Sequence, residues 1–376
     1  MKIFVIGAGP AGLLFALLAK RRNPAHEIVV LEQNAADATF GFGVVFSRGA
    51  LEFLSRDEPQ MHAGLSRAME SWPMQRIAHR DEAVDIDGNG FSGIGRLALL
   101  QLLQEQCRNA GVRMRFGISV DSLPEADLVV GADGVNSVVR RRYADAFKPR
   151  IEHLTNKFAW YGTRQRFECL TLTFRQSRHG AFVAHHYRYS PTMSTFLVEC
   201  EAATWQRAGL DAMSDAESRR YCEDVFAADL GGNALIDNKS IWRNFPLLRN
   251  ENWWFDNKVL IGDALRTVHF SIGSGTRLAF DDAIALSRAL EGRTSVTETL
   301  REFEKQRRPV VEKLVAAANR SSYWYERLEE KMALEPWRLA YDYMTRSGRM
   351  SDERLREEAP QFMRTVEQRR RGAVAT

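Results

Sequence analysis

Cysteine is scarce in this chain. Its 376 residues hold four, Cys107, Cys169, Cys200 and Cys222. They form no C-x-x-C pair and no zinc spacing, and they are too sparse for a disulfide framework. The expected state is the buried, reduced thiol of a cytoplasmic protein. Long apolar runs are also missing. The stretch from Ile3 to Ala19 is interrupted by three glycines and Pro10 and closed by Lys20-Arg21-Arg22. No small-residue cleavage site follows, so it does not read as a signal peptide, and no other segment reaches the length of a membrane span. Neither sign of charge dominates: 52 Lys and Arg face 48 Asp and Glu, for a net +4. Arg369-Arg370-Arg371 is a solvated tail rather than part of a basic stripe with interleaved aromatics, so nucleic acid is not an expected partner. No cluster of metal ligands, no G-x-S-x-G elbow and no Ser-His-Asp motif occurs, and no internal repeat or low-complexity segment is evident. No metal site is expected.

What is present begins at the N-terminus. Lys2 to Ile6 reads as a short buried strand, followed by Gly7-Ala8-Gly9-Pro10-Ala11-Gly12, an apolar helix from Leu13 to Lys20, and a second strand, Glu27 to Leu31, ending in Glu32. Each part has a task in holding a dinucleotide. Gly7 permits a tight turn, Gly9 lets the backbone approach a pyrophosphate, and Gly12 lets the helix pack against the strand. Ala11 completes the turn. The helix N-terminus offers N–H groups and a partial positive charge to phosphates. Glu32, 20 residues after Gly12, stands where an acid meets ribose hydroxyls. The motif alone does not separate FAD from NAD.

Two later segments do. A strand from Ala126 to Ala132 runs into Asp133-Gly134. A short strand, Val259 to Ile261, runs into Gly262-Asp263-Ala264, followed by Gly273-Ser274-Gly275-Thr276 and a helical stretch carrying Asp281 and Asp282. With these three ordered motifs the sequence resembles the single-component (group A) flavoprotein aromatic hydroxylases, with the fold of para-hydroxybenzoate hydroxylase. The resemblance implies that Asp133 and Gly134 serve the FAD pyrophosphate and the NAD(P)H path, that Asp263 lies near the ribityl chain, and that Gly273, Gly275 and Thr276 sit by the isoalloxazine ring. It implies an FAD contact for Arg96, before the amphipathic helix Leu97 to Cys107, and for Arg48, in an FAD-facing loop. It implies FAD as cofactor, NADH or NADPH as co-substrate, and transfer of an oxygen atom from O2 to an electron-rich ring through a flavin C4a-hydroperoxide. The flavin does the hard chemistry, so the protein need not supply a nucleophile.

The expected fold class is α/β with an α+β substrate part. A discontinuous Rossmann-like FAD-binding domain is expected over residues 1–150 and 255–300, an inserted β-sheet substrate domain over 151–254, and a C-terminal helical region over 301–376. The middle segment is rich in β-branched and aromatic residues, with candidate strands at Asn156 to Thr163, Leu170 to Phe174, Gly180 to Tyr189 and Ser194 to Glu199. Only one G-x-G-x-x-G lies in a strand–turn–helix context, so NAD(P)H is expected to dock transiently.

His269, His185 and Tyr161 are the candidates for contact with the substrate, with His186 and Arg243 behind them. His185 and His186 are adjacent on a strand, so their side chains point to opposite faces. His269 has two readings, a base acting on a phenol or aniline and a histidine that orders its loop. Tyr161 reads equally as sheet packing, and Arg243 as a surface residue. Phe40 to Ser47, Gly90 to Arg96, Trp160 to Thr163, Ser194 to Glu199 and His269 to Thr276 resemble a narrower branch. It contains salicylyl-CoA 5-hydroxylase, the N-terminal half of anthraniloyl-CoA monooxygenase, and the violacein-pathway indole oxygenase. The leading expectation is 5-hydroxylation of an ortho-hydroxy or ortho-amino benzoyl-CoA, with Arg346, Arg349, Arg354 and Arg356 as a patch for CoA phosphates. A carrier-free indole or other secondary-metabolite substrate is the second reading. A reductase or redox sensor without oxygen transfer is the third.

Overall fold

The computed structural model describes residues 1–293 and 295–374. The chain divides into two compact units, one of residues 1–39, 97–153 and 246–316, the other of residues 40–96, 154–245 and 317–376.

The first unit is built on a sheet in the order Trp254–Phe255, Lys258–Leu260, Leu128–Gly131, Lys2–Ile6, Glu27–Leu31, Arg113–Arg115. All neighbours are parallel except the first pair. Its central strands are near-continuous apolar runs, as expected of parallel strands covered on both faces. Helix Pro10–Arg22 is buried from Ala11 through Ala19. Helix Gly275–Ala289 packs against it and is buried along most of its length. Helix Pro10–Arg22 is apolar on all sides from Ala11 to Ala19, as suits an interior helix, and both helices carry small residues that allow close approach.

The second unit is built on a sheet in the order Leu235–Ile236, Pro149–Thr163, Met193–Cys200, Gly180–Ser190, Leu170–Ser177, Gln75–His79, Glu82–Ile86. The three long strands ending at Cys200, Ser190 and Ser177 are antiparallel neighbours. One face, carrying Ala159, Tyr161, Phe182, Ala184, Phe196 and Val198, packs on helical residues such as Cys222 and Phe226. The opposite face carries Ile77, Leu172, Phe174 and Val183, which pack on Trp324, Tyr325, Trp337 and Tyr343 of the C-terminal helices. A small sheet of Gly43–Ser47, Phe91–Gly95 and Glu70–Trp72 completes the unit.

The boundaries differ from the sequence expectation. Residues 40–96, placed with the FAD domain, and residues 317–376, placed in a separate helical region, both group with the large sheet. Gln75–His79 pairs in parallel with Leu170–Ser177, Leu170 opposite Gln75, and so extends that sheet. The C-terminal helices bury their apolar sides on its face.

Candidate functional site

Three chain segments of the first unit converge on the G-x-G-x-x-G turn. Gly7 has φ +103°, and a methyl carbon there would lie 2.5 Å from the Ala132 carbonyl oxygen. At Gly12 a methyl carbon would lie 2.1 Å from the Gly7 carbonyl oxygen and 3.1 Å from Val5 and Ala132 side-chain atoms. These two glycines are therefore required by contact with their own fold. Gly9 is different: its nearest neighbour in that direction is Ala132 O at 3.9 Å. The space above the start of the helix is open, and it lies where a phosphate needs to reach unpaired N–H groups. Ala11 is buried, and a side chain at Gly262 (φ +60°) would meet its Cβ at 3.1 Å. The Arg140 guanidinium, 3% exposed, donates to Ala264 O at 2.9 Å and ties the Asp133 and Asp263 segments together.

Glu32 is fixed at the end of its strand. Its Oε2 accepts from Ala8 N at 2.9 Å, and its Oε1 from Asn34 N at 2.9 Å and Asn34 Nδ2 at 2.7 Å. Asp133 Oδ2 accepts from Val138 N at 2.6 Å, and burial raises its carboxyl above the ordinary value despite the Ser137 and Val138 hydrogen bonds. Asp133 Oδ1 is buried without a hydrogen-bond partner among the described residues. Such an acceptor costs about 1–3 kcal/mol if left unpaired. Gly134 has φ +74° and no neighbour within 4 Å of an added methyl. Asp263 is the one exposed side chain between Val259 and His269. Gly273 (φ +57°) closes the short helix Phe270–Ile272, and Gly275 and Thr276 open helix Gly275–Ala289, with free space at Gly275. An open glycine turn, an acid with anchored orientation and a buried acceptor in want of a donor fit the diphosphate and hydroxyls of FAD.

Behind this cradle lies a buried ionic cluster that sequence reading placed but did not connect. Asp282 is fully buried. Its Oδ2 accepts from Gly262 N at 3.1 Å and Arg266 Nη1 at 2.6 Å, and its Oδ1 from Arg307 Nη2 at 3.1 Å. Asp281 lies 3.7 Å from Arg307, and burial pushes its carboxyl up to about 6. The cluster clamps the Gly262 turn to helix Gly275–Ala289.

The substrate candidates fall apart. His269 is 1% exposed, stacks on Phe270 with centroids 4.1 Å apart, and accepts from Ser271 N at 3.4 Å. The loop-ordering reading fits it. Tyr161 is 1% exposed inside the apolar core on the helix-covered face of the sheet. Burial raises its hydroxyl, and its placement corrects the expectation of a substrate contact. His186 is on that same face, stacked on Phe196 at 5.2 Å and bonded to Thr173 Oγ1 at 2.9 Å, and burial lowers it to about 3. His185 takes the opposite face. Its Nε2 lies 3.6 Å from Glu199 Oε2, and its ring 5.3 Å from that of Tyr325. Arg243 is exposed and donates to Lys239 O at 3.4 Å.

Arg48 and Arg96 are not brought together. Arg48 N donates to Gly90 O and Arg96 N to Phe42 O, at opposite ends of the ladder between Gly43–Ser47 and Phe91–Gly95. Six residue steps put their backbones roughly 20 Å apart. The Arg48 side chain is 75% exposed and pairs with Glu52 at 3.1 Å. The expected phosphate patch is largely neutralised within itself. Arg354 pairs with Glu358 at 2.6 Å and Arg356 with Glu367 at 2.9 Å, while Arg346 lies 3.6 Å over the Tyr343 ring. The residues that sequence reading missed are Glu199, Asn156 and Tyr325. A carboxylate on an alternating strand is the signal that was available for Glu199.

Among the described residues no group of three or more His, Cys, Asp or Glu is placed to hold a metal, and no helix is long and apolar enough to cross a membrane. The family described as FAD binding domain matches residues 119–318. The chain is 42% identical to a salicyloyl-CoA 5-hydroxylase of Streptomyces over 92% of its length and 70% of that protein. It is 36% identical to a 3-hydroxy-4-methyl-anthranilyl-[aryl-carrier protein] 5-monooxygenase of Streptosporangium sibiricum over 93% of its length and 95% of that protein. It is 37% identical to the protodeoxyviolaceinate monooxygenase of Chromobacterium violaceum over 89% of its length and 91% of that protein. The same fold is found in Pseudomonas aeruginosa PqsL, with a TM-score of 0.71 at 20% identity over 89% of this chain and 98% of that one. The FAD cradle and these relatives together show that the chain belongs to the FAD-dependent aromatic monooxygenases.

Proposed function

We propose that this enzyme hydroxylates an aromatic ring bearing an ortho-hydroxyl or ortho-amino group, presented as a thioester, at the position para to that group. NADH or NADPH is the reductant and O2 the oxidant. The observation that carries the reading is similarity over 92% and 93% of this chain to two enzymes named for such rings, one as a CoA thioester and one on a carrier protein, each named for position 5. A hydroxyl or amino group at position 2 donates electrons to position 5, which is where an electrophilic oxygen attacks.

Bound flavin supplies the activation of oxygen, and the chain supplies the rest. Gly9 and the N-terminus of helix Pro10–Arg22 hold the diphosphate. Glu32 fixes ribose hydroxyls, Asp133 and Gly134 serve the pyrophosphate, and Asp263 meets the ribityl chain. The buried cluster on Asp282 holds the Gly262 turn in place. In the second unit His185 has the apolar Leu197 and Leu172 as its neighbours in register. Exclusion of water protects the oxidising species from decay to hydrogen peroxide.

A carrier-free substrate is favoured by one observation. The C-terminal arginines pair with Glu358 and Glu367, which leaves little net positive charge for CoA phosphates. Turnover of 2-hydroxybenzoyl and 2-aminobenzoyl groups as CoA thioesters, as pantetheine thioesters and as free acids separates the readings. Substrate-stimulated NAD(P)H oxidation with both thioesters and not with the acids supports a thioester. Stimulation by none of the three contradicts the proposal.

A further inference from the structure

On the face of the second unit's sheet that packs on the C-terminal helices, one row reads Trp160, Leu197, His185, Leu172 across four strands. The next row reads Phe158, Glu199, Val183, Phe174. His185 and Glu199 are therefore diagonal cross-strand neighbours on one face, within reach of each other's side chains. Glu199 is 1% exposed, and its Oε2 lies 3.6 Å from His185 Nε2. Its Oε1 accepts from Asn156 Nδ2 at 2.9 Å. Asn156, 4% exposed, is itself anchored because the same Nδ2 donates to Tyr325 O at 2.8 Å. Tyr325 is fully buried. His185 is the most exposed of the four, at 9%. The arrangement is a buried carboxylate–imidazole pair in which the carboxylate is the deeper of the two.

A buried carboxylate is costly unless something needs its charge. Tyr325 is kept protonated by burial, and the Arg346 guanidinium lies 5.9 Å from the Tyr325 ring and 3.6 Å from that of Tyr343. His186, next in sequence, points to the opposite face. At the other end of the His185 row, Trp160 Nε1 is buried without a hydrogen-bond partner among the described residues. Two strand steps, about 10 Å, separate Trp160 from His185 across Leu197.

We propose that Glu199 is a positioning residue that makes His185 a base for hydroxyl-bearing substrates, and so sets how well this enzyme uses an ortho-hydroxy ring relative to an ortho-amino ring. This rests on the aryl-substrate reading above. The step is a proton transfer. The substrate O–H bond breaks, the proton goes to His185 Nδ1, the nitrogen turned away from Glu199, and the electron pair stays on oxygen as phenolate. Ionised Glu199 stabilises the imidazolium that results. An amino group is already neutral and electron-donating. It needs only a hydrogen bond to the imidazole, for which the carboxylate matters far less.

The test compares the holoenzyme with Glu199→Gln, which keeps the Asn156 hydrogen bond and removes the charge, and with Glu199→Asp, which keeps the charge. The first readout is the ratio of kcat/KM for the hydroxy substrate to that for the amino substrate, taken in whichever form the wild type accepts. Glu199→Gln is expected to lower that ratio at least ~100-fold, the lower end of general-base effects, and Glu199→Asp to restore part of it. The second readout needs no turnover: ultraviolet titration of the bound hydroxy substrate without reductant. The pH at which its phenolate forms on the enzyme is expected to rise by about 1–2 in Glu199→Gln, as when a nearby opposite charge is lost. An unchanged ratio with an unchanged phenolate titration overturns the proposal, as does an equal loss with both substrates. A wild type that uses neither substrate overturns the aryl-substrate reading instead. A Glu199→Gln protein that fails to fold leaves Glu199→Asp and His185→Gln to decide through the same titration, and an unmoved phenolate in His185→Gln overturns the proposal.

Discussion

Replacing Asp282 by Asn tests the claim that a buried ionic clamp, not the glycine motif alone, holds the flavin cradle. Asp282 is fully buried and is shared by the Arg266 and Arg307 guanidiniums and by Gly262 N, at 2.6–3.1 Å. The Arg266 and Arg307 side chains are only 5% and 9% exposed. Removing one member of such a network typically costs about 3–5 kcal/mol, because the opposite charges stay buried. Asp281 remains 3.7 Å from Arg307 and still offers partial compensation, so the lower end, about 3 kcal/mol, applies. For a unit of this size that corresponds to a fall in Tm of roughly 6–12 °C. Thermal unfolding followed by circular dichroism measures it, and flavin release on dilution should rise in parallel because the Gly262 turn loses its anionic acceptor. Asp281→Asn is the internal control. Burial already raises the Asp281 carboxyl to about 6, so its charge is poorly supported and its loss should cost under a third as much. A Tm change below 2 °C with unaltered flavin retention in Asp282→Asn would refute the clamp.

Three further outcomes follow from the geometry. Gly12→Ala puts a methyl carbon 2.1 Å from the Gly7 carbonyl oxygen; the turn must open, and the purified protein should lack the yellow flavin absorbance. His186 is held near 3 by burial against an ordinary 6.5, so the unfolded chain takes up its proton first. Its contribution is complete above pH 6.5 and is lost as pH falls toward 3, by up to ~1.4 kcal/mol per pH unit. His186→Gln should flatten urea-unfolding stability across that window, and an unchanged slope would contradict the assignment. Tyr161→Phe should leave kcat within about twofold while costing about 1 kcal/mol of stability, and a tenfold loss of kcat would return Tyr161 to the site.

The sequence made the cradle legible because it is local. Lys2–Ile6 and Glu27–Leu31 are strands with the bounds read from their apolar runs, and Gly7 and Gly12 are glycines for the steric reasons that their spacing implied. The second unit was less legible because its decisive contacts are long-range. Gln75–His79 reads Gln-Arg-Ile-Ala-His, without an apolar run, and is a strand because Leu170–Ser177 pairs with it across about a hundred residues of chain. Alternation showed that His185 and His186 part company, but not which face was covered. That depended on where Trp324, Tyr325 and Trp337 fold back. Of the two readings of Tyr161, sheet packing fits its place on the opposite face, which Cys222 and Phe226 cover. Glu199 was invisible as a partner of His185 because a diagonal pair exists only once the strand register is set.

The central claim is oxygen transfer to an aromatic ring. The most direct measurement is mass spectrometry of the product formed by the flavin-loaded enzyme from a 2-hydroxybenzoyl thioester, with NADH and NADPH supplied in parallel, under ¹⁸O2. One ¹⁸O atom is expected in the new hydroxyl on the ring, at position 5. NAD(P)H consumption that yields only hydrogen peroxide with each thioester, or a product free of ¹⁸O, would contradict it.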